Sequence, residues 1–295
     1  MNRLSQLLLI SGTLLLAACQ KTGNPDEDNQ NTSANRLSYG DTLFYNHNVL
    51  SDKLVTVVST PSATVKYKAI PGGLLLDSIT GRINLSKSES GIRYKVFAVN
   101  AAGIAIDSVK LVVSGIDYAD GIYNINATPV AYDTAFPIYN ARPALLLPCS
   151  DDDDDDDDDD SSCVFDETDL DNDGNDDIAG IIQDKLLVNT KTGTLDLEAS
   201  FRAGLFGSSQ PANGTLKEFI MFYRLNDASN RALQKINLKI YYYQTESDIP
   251  LLLRNELNIR SNQAQNINAR LINSADFATF ERPKRPPILI IVGRI

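Results

Sequence analysis

From residue 35 to residue 114 the chain reads as short strands separated by turns. Residues 54–58 form a short β-branched run, 64–69 alternate apolar and polar side chains, 93–99 alternate more strongly, and 107–113 close the set. Pro71-Gly72-Gly73, Thr80-Gly81, Ser90-Gly91 and Ala102-Gly103 punctuate them. A period of two places successive side chains on opposite faces of a sheet. Short strands at this spacing, with turn residues between, predict an all-β sandwich.

The region 117–295 carries a second set. Its strand candidates are 185–189, 194–201, 218–223 and 236–243, with 288–292 as a final strand. Thr192-Gly193 predicts a hairpin turn between the first two. Residues 251–271 read as partly helical. A second sandwich is the expected way for such strands to bury their apolar faces.

The N-terminus has a different character. One positive charge, Arg3, precedes an apolar run from Leu7 to Ala18 interrupted only by Ser11, Gly12 and Thr13. The run is shorter than the ~20 apolar residues a membrane-spanning helix needs, and it fits the hydrophobic segment of a signal peptide. It ends Leu16-Ala17-Ala18-Cys19, which resembles the bacterial lipobox. That resemblance implies that residues 1–18 are removed and that Cys19 is acylated and becomes the first mature residue. Two or three acyl chains anchor stably where one does not. Residues 19–35 are polar, hold Gly23 and Pro25, and have no apolar period, so they are expected to be a disordered tether. The opening Gln20-Lys21 partly resembles the export signal of Bacteroidetes surface lipoproteins; the acidic pair expected straight after the lysine is absent. The expected location is the outer membrane, lipid-anchored, at the cell surface.

Within the first region Pro71-Gly72-Gly73-Leu74-Leu75-Leu76-Asp77, then Thr80-Gly81-Arg82-Ile83, then 94–100 with Gly103, resembles the immunoglobulin- or cadherin-like modules of bacterial surface proteins. The resemblance covers about 80 residues and implies a spacer or adhesion sandwich. The calcium ligands of true cadherins are missing from the matching positions. The expected organisation is therefore two immunoglobulin-like β-sandwich domains, 36–115 and 117–295, behind the tether, with an acidic loop at 149–177 in the second.

The acidity is local. The net charge of −11 falls to −1 once the ten aspartates of 151–160 are set aside. Phosphate binding needs clustered Lys and Arg, and the group Arg282, Lys284, Arg285 is too small, so nucleic acid is excluded as a partner. Homopolymeric aspartate extends and repels itself and reads as solvated low-complexity sequence. Cys149 and Cys163 flank it in a chain destined for export, where disulfides persist. They are expected to bond and close a loop of roughly 15 residues, worth about 3 kcal/mol by chain entropy.

The strongest local motif is Asp169-Leu-Asp171-Asn-Asp173-Gly174-Asn175-Asp-Asp177, followed by Ile178. Calcium takes six to eight oxygen ligands, and alternating aspartates converge on one point if the chain turns sharply at Gly174. The bidentate glutamate of an EF-hand is absent; Gly180 occupies its place. The pattern resembles the loops of integrin- and thrombospondin-type repeats. By that resemblance calcium is the expected cofactor, with Asp169, Asp171, Asp173 and Asp177 as ligands and Asn175 offering its backbone carbonyl. Four Asp-Ser/Thr-aliphatic triplets, at 41–43, 77–79, 107–109 and 133–135, resemble a Bacteroidetes O-glycosylation site.

Catalysis finds little support. His47 is the one histidine, no G-x-S-x-G or H-E-x-x-H motif is present, and no catalytic residue is assigned. The leading reading is a non-enzymatic envelope lipoprotein, held to the membrane by its lipid anchor and binding a protein or glycan at the surface, for binding, adhesion or a structural task. The alternative is a glycan-binding accessory lipoprotein of a polysaccharide-uptake system, with Tyr241, Tyr242 and Tyr243 as its densest aromatic cluster. A carboxylate-dependent hydrolase ranks third.

Overall fold

A computed structural model of the chain describes residues 36–47, 52–126, 133–149, 162–207, 209–268 and 286–294, with only the backbone of 261–268. Cys19, the tether and the aspartate run lie outside the described residues. The all-β reading holds: among the described residues strands in several sheets dominate, with two α-helices beside them.

The first region contains β1 (Leu43–Phe44), β2 (Leu54–Val55), β3 (Lys66–Ile70), β4 (Leu75–Leu76), β5 (Ile83–Asn84), β6 (Ile92–Val99) and β7 (Ala105–Val113). They form a four-stranded sheet in the order β1-β7-β6-β3 and a three-stranded sheet in the order β2-β5-β4. Tyr67, Tyr94, Val96, Leu111 and Val113 from the first sheet meet Ile83 from the second, with Leu85 beside it, in one apolar cluster. Tyr94 is fully buried, and its hydroxyl donates to Glu89 O five residues upstream at 2.8 Å. A buried tyrosine keeps its polar tip satisfied in this way.

The second region begins at β8 (Ile116–Tyr118), immediately after Ser114-Gly115. It continues with β9 (Gly121–Asn124), β10 (Thr134–Ala135), β11 (Pro137–Tyr139), β12 (Val164–Phe165), β13 (Leu195–Asp196), α1 (Leu197–Arg202), β14 (Thr215–Arg224), β15 (Gln234–Tyr243), α2 (Leu251–Asn268) and β16 (Ile288–Val292). Its main sheet runs β12-β14-β15-β16-β9. β14 and β15 are an antiparallel hairpin, whereas β16 lies parallel to both β15 and β9.

Those parallel pairings differ from the antiparallel sheets of an immunoglobulin sandwich. The composition of β16 accounts for its place inside the sheet. All five residues, Ile-Leu-Ile-Ile-Val, are buried, and a strand apolar on both faces must be covered on both. Leu289 and Ile291 join Met221, Tyr223, Leu238, Ile240 and Tyr242 against Phe165, Leu195, Leu197 and Phe201. Ile288, Ile290 and Val292 face the other way, onto Ile249 and Leu257 of the α2 layer. Each fully buried aliphatic side chain is worth about 1.5–3 kcal/mol relative to exposure. Asp120 fixes the start of the strand: its Oδ1 accepts Ile288 N–H at 2.7 Å and Arg260 at 3.2 Å.

Two expected strands fold otherwise. Residues 197–201 enter α1, because Leu197, Ser200 and Phe201 recur at helical spacing and are buried, and Asp196 caps the helix by accepting Ala199 N–H at 2.8 Å. Residues 185–189 keep only a bridge between Val188 and Leu195 across the turn at Thr192-Gly193. The predicted helix over 251–271 is α2.

Candidate functional site

The acidic loop leaves the sheet edge after β12. Arg224, buried on β14, holds its root: Nε donates to Glu167 Oε2 at 2.8 Å, and the guanidinium also reaches the carbonyls of Asp169 and Leu170, each at 3.1 Å. Asp169 then turns the chain over itself. Its carboxylate accepts the backbone N–H groups of Asn172, Asp173 and Gly174 at 2.6, 3.1 and 2.7 Å. Gly174 supplies the left-handed backbone, with φ +89°. Asp177 closes the loop by accepting Leu170 N–H at 2.8 Å and Asp171 N–H at 3.3 Å.

One carboxylate oxygen from each of Asp169, Asp171 and Asp177 lies within 4.8 Å of the others. Asp173 and Asn175 stand outside this trio. Asp173 instead accepts both the backbone and side-chain N–H of Asn175, at 2.9 and 3.0 Å. The charges of Asp173 and Asp177 raise the Asp171 carboxyl above its ordinary value. At Asp169 partial loss of water acts upward, but the three backbone donors outweigh it and the carboxyl stays low. The trio can offer three hard oxygens to a cation.

The missing twelfth-position glutamate has a steric explanation. Asp166 accepts Ile181 N–H at 2.7 Å and Ile182 N–H at 3.1 Å. A Cβ at Gly180 would stand 2.4 Å from Asp166 Oδ2. No side chain fits there without displacing that carboxylate.

Cys149 and Cys163 are bonded to each other, with Cα atoms 5.1 Å apart, and Cys163 joins the main core. Tyr241, Tyr242 and Tyr243 offer no exposed aromatic platform: Tyr242 and Tyr243 are buried, and Tyr242 donates to Gly293 O at 2.7 Å. Of the glycosylation-like triplets, Thr42 and Ser78 are exposed, while Ser108 and Thr134 sit within paired strands. Among the described residues no hydrogen bond joins His47, which is partly buried, to a carboxylate or hydroxyl.

A second site has no counterpart in the sequence reading. β15, β16 and β9 run parallel, so their carboxyl ends, at Tyr243, Val292 and Asn124, reach one edge of the sheet together. A cleft of about 820 Å³ opens there. Asn124, Asn126, Gln244, Thr245 and Ser247 supply amides and hydroxyls, and Arg202 and Arg294 supply guanidiniums. Crevices at the carboxyl ends of parallel strands are recurrent binding places.

Its walls are fixed. Asn126 Oδ1 accepts Arg294 N–H at 2.8 Å, and Asn126 Nδ2 donates back to Arg294 O at 3.4 Å. Thr245 donates to Asp248 Oδ2 at 2.7 Å from its hydroxyl, and this bond is the chief reason the Asp248 carboxyl is held low. Arg202 is paired with Glu198 at 2.6 Å. Arg294 has no ion pair among the described residues and is exposed.

No protein-family model matches the chain, and no curated protein matches its sequence. Among solved structures, one similar chain is a SusE-like surface located polysaccharide binding protein from the Bacteroides thetaiotaomicron heparin utilisation locus. The two are 13% identical, the alignment covers 72% of this chain and 35% of that one, and the TM-score is 0.22. The match thus spans about a third of that protein's length.

Proposed function

We propose that this chain is a non-enzymatic lipoprotein of the cell surface, anchored through Cys19, that binds a glycan in the polar cleft at the carboxyl ends of β9, β15 and β16. The cleft lining carries the reading. A sugar presents rings of hydroxyls, each both donor and acceptor. Side-chain amides present both functions in one plane, and the cleft gathers three of them, from Asn124, Asn126 and Gln244, beside two hydroxyls. Binding sites orient a ligand with a few fixed polar groups, and the Asn126–Arg294 pairing fixes this wall. Glu246 is the one carboxylate in the lining, whereas glycoside hydrolysis commonly uses two, which favours binding over hydrolysis.

In this reading the first region is an immunoglobulin-type spacer. Its back-bonded Tyr94 is in keeping with such sandwiches. Calcium belongs to the same proposal as a structural ion on the acidic loop, held by Asp169, Asp171 and Asp177. Its binding would order the loop beside Arg224 and take no part at the cleft.

Passing the soluble chain, starting after Cys19, over a panel of immobilised oligosaccharides tests the function. Retention on at least one of them, lost in Asn126→Ala and in Arg294→Ala, is the expected outcome. Absence of retention on every glycan, or retention unchanged in both variants, contradicts the assignment to this cleft.

A further inference from the structure

β14 leaves part of its backbone unpaired. Phe222 O accepts Glu167 N–H at 2.9 Å, so Phe222 directs its backbone groups away from β15. In an antiparallel pair such outward residues alternate with those bonded inward. Ile220, Glu218 and Leu216 therefore also aim their N–H and C=O groups at the free edge of the sheet. β12 covers only Tyr223 and Arg224 of that edge, and the chain then departs into the acidic loop. Among the described residues no hydrogen bond reaches the outward backbone groups of Leu216, Glu218 or Ile220. The register of β14 with β15 runs from Thr215 to Tyr223 without a bulge, and the stretch holds no proline. Bulges and prolines are common ways to blunt an edge against another strand. The charge on the outer face, Glu218, is already paired with Lys239 at 2.9 Å.

The side chains of the same stretch are self-complementary. Phe219 and Met221 face the main core, so Leu216, Glu218 and Ile220 face the opposite side. The α2 cluster on that side takes side chains from β15, β16 and β9 but none from β14. Leu216 and Ile220 stay 39 and 52% exposed. They stand at equal distances along the strand on either side of Glu218. In a symmetric interface, contact of one position with another implies the reciprocal contact. A two-fold axis at Glu218 would therefore set Leu216 of each copy opposite Ile220 of the other, and the outward N–H and C=O groups of all three residues would meet their counterparts. An added strand satisfies such an edge through its main chain and is selected through its alternate side chains. A second β14 meets both conditions.

We infer that two copies of the chain pair antiparallel along β14, about an axis at Glu218, joining their main sheets into one. This pairing is independent of the glycan cleft.

The test is disulfide trapping of the full lipidated chain in the membranes of the expressing cells. Cys149 and Cys163 are already bonded to each other, so Glu218→Cys adds the reporting thiol. Residues in a hydrogen-bonded antiparallel pair have Cα atoms about 5.5 Å apart, within the range a disulfide spans. On a non-reducing gel Glu218→Cys is expected to give several-fold more linked dimer than Lys191→Cys, a control on an exposed turn. Adding Leu216→Lys and Ile220→Lys, both at exposed positions outside the core, is expected to bring the dimer down to the control level. Linked dimer no more abundant than the control, dimer that survives the two lysines, or a disulfide to a different protein would each overturn the inference.

Discussion

Ser114 donates its hydroxyl to Asp227 Oδ2 at 2.9 Å, joining the last residue of the first sandwich to the β14–β15 connection of the second region. Tyr139 donates to the same oxygen at 2.8 Å. Beside them the fully buried Tyr223 hydroxyl accepts Ile116 N–H at 3.1 Å, donates to Gln234 at 3.1 Å and lies 2.9 Å from the Ser90 hydroxyl. Linked domains move relative to one another unless their interface is well built. Here a buried hydrogen-bonded network spans the joint, with Gln234 Nε2 left without a partner among the described residues.

Removing Asp227 leaves two hydroxyls without their acceptor. Asp227→Ala is expected to lower the unfolding free energy by about 1.5–3 kcal/mol, the range for bonds to a charged group, as measured by urea denaturation. A change within error would show that the joint contributes nothing to stability.

The same joint predicts an alkaline response. Burial raises the Tyr223 hydroxyl to about 12, above its unfolded value near 10. The folded state therefore keeps a proton that the unfolded chain loses. This contribution is intact below about pH 10 and falls away as pH rises toward 12. Tyr223→Phe is expected to flatten the stability curve over that window, read from melting temperatures at stepped pH; an unchanged slope would count against it.

The acidic loop predicts opposite signs for one substitution. Asp171 is destabilised by Asp173 and Asp177, so Asp171→Asn relieves repulsion. In chelator the variant is expected to melt at or slightly above the parent temperature. In millimolar calcium the parent is expected to gain stability by mass action and the variant to lose that gain. Equal calcium responses would remove the loop from consideration as a metal site.

Restoring the absent glutamate is expected to fail. Gly180→Glu pushes a side chain into the Asp166 carboxylate, an overpacking that costs about 1–3 kcal/mol. Calorimetry is expected to show no tighter calcium binding in this variant. Tighter binding would mean that Asp166 yields its place.

The long strands were legible because their alternation is local. Residues 93–99, 107–113, 218–223, 236–243 and 288–292 all lie in β6, β7, β14, β15 and β16. Residues 194–201 misled because Leu195, Leu197, Ala199 and Phe201 also alternate; the Asp196 cap and the burial of Ser200 decide for a helix after 196. At 185–189 Lys185 adopts a left-handed φ of +71°, which keeps that residue out of a strand, and the pairing that follows is the single bridge of Val188 to Leu195. The acidic loop was readable as a motif; three of its aspartates, Asp169, Asp171 and Asp177, converge, while Asp173 accepts from Asn175 instead. The cleft left no local trace. It exists because β16 inserts between β15 and β9, bringing Asn126 to Arg294 across 168 positions. The wholly apolar 288–292 run was its one available signal, since a strand buried on both faces belongs inside a sheet.

Amide hydrogen exchange with and without a retained oligosaccharide tests the central claim most directly. Slowed exchange is expected in 124–126, 244–247 and 292–294 together, with the acidic loop and the β2-β5-β4 face unchanged. Slowing elsewhere, with these three segments unaffected, would contradict a glycan site at the carboxyl ends of the parallel strands.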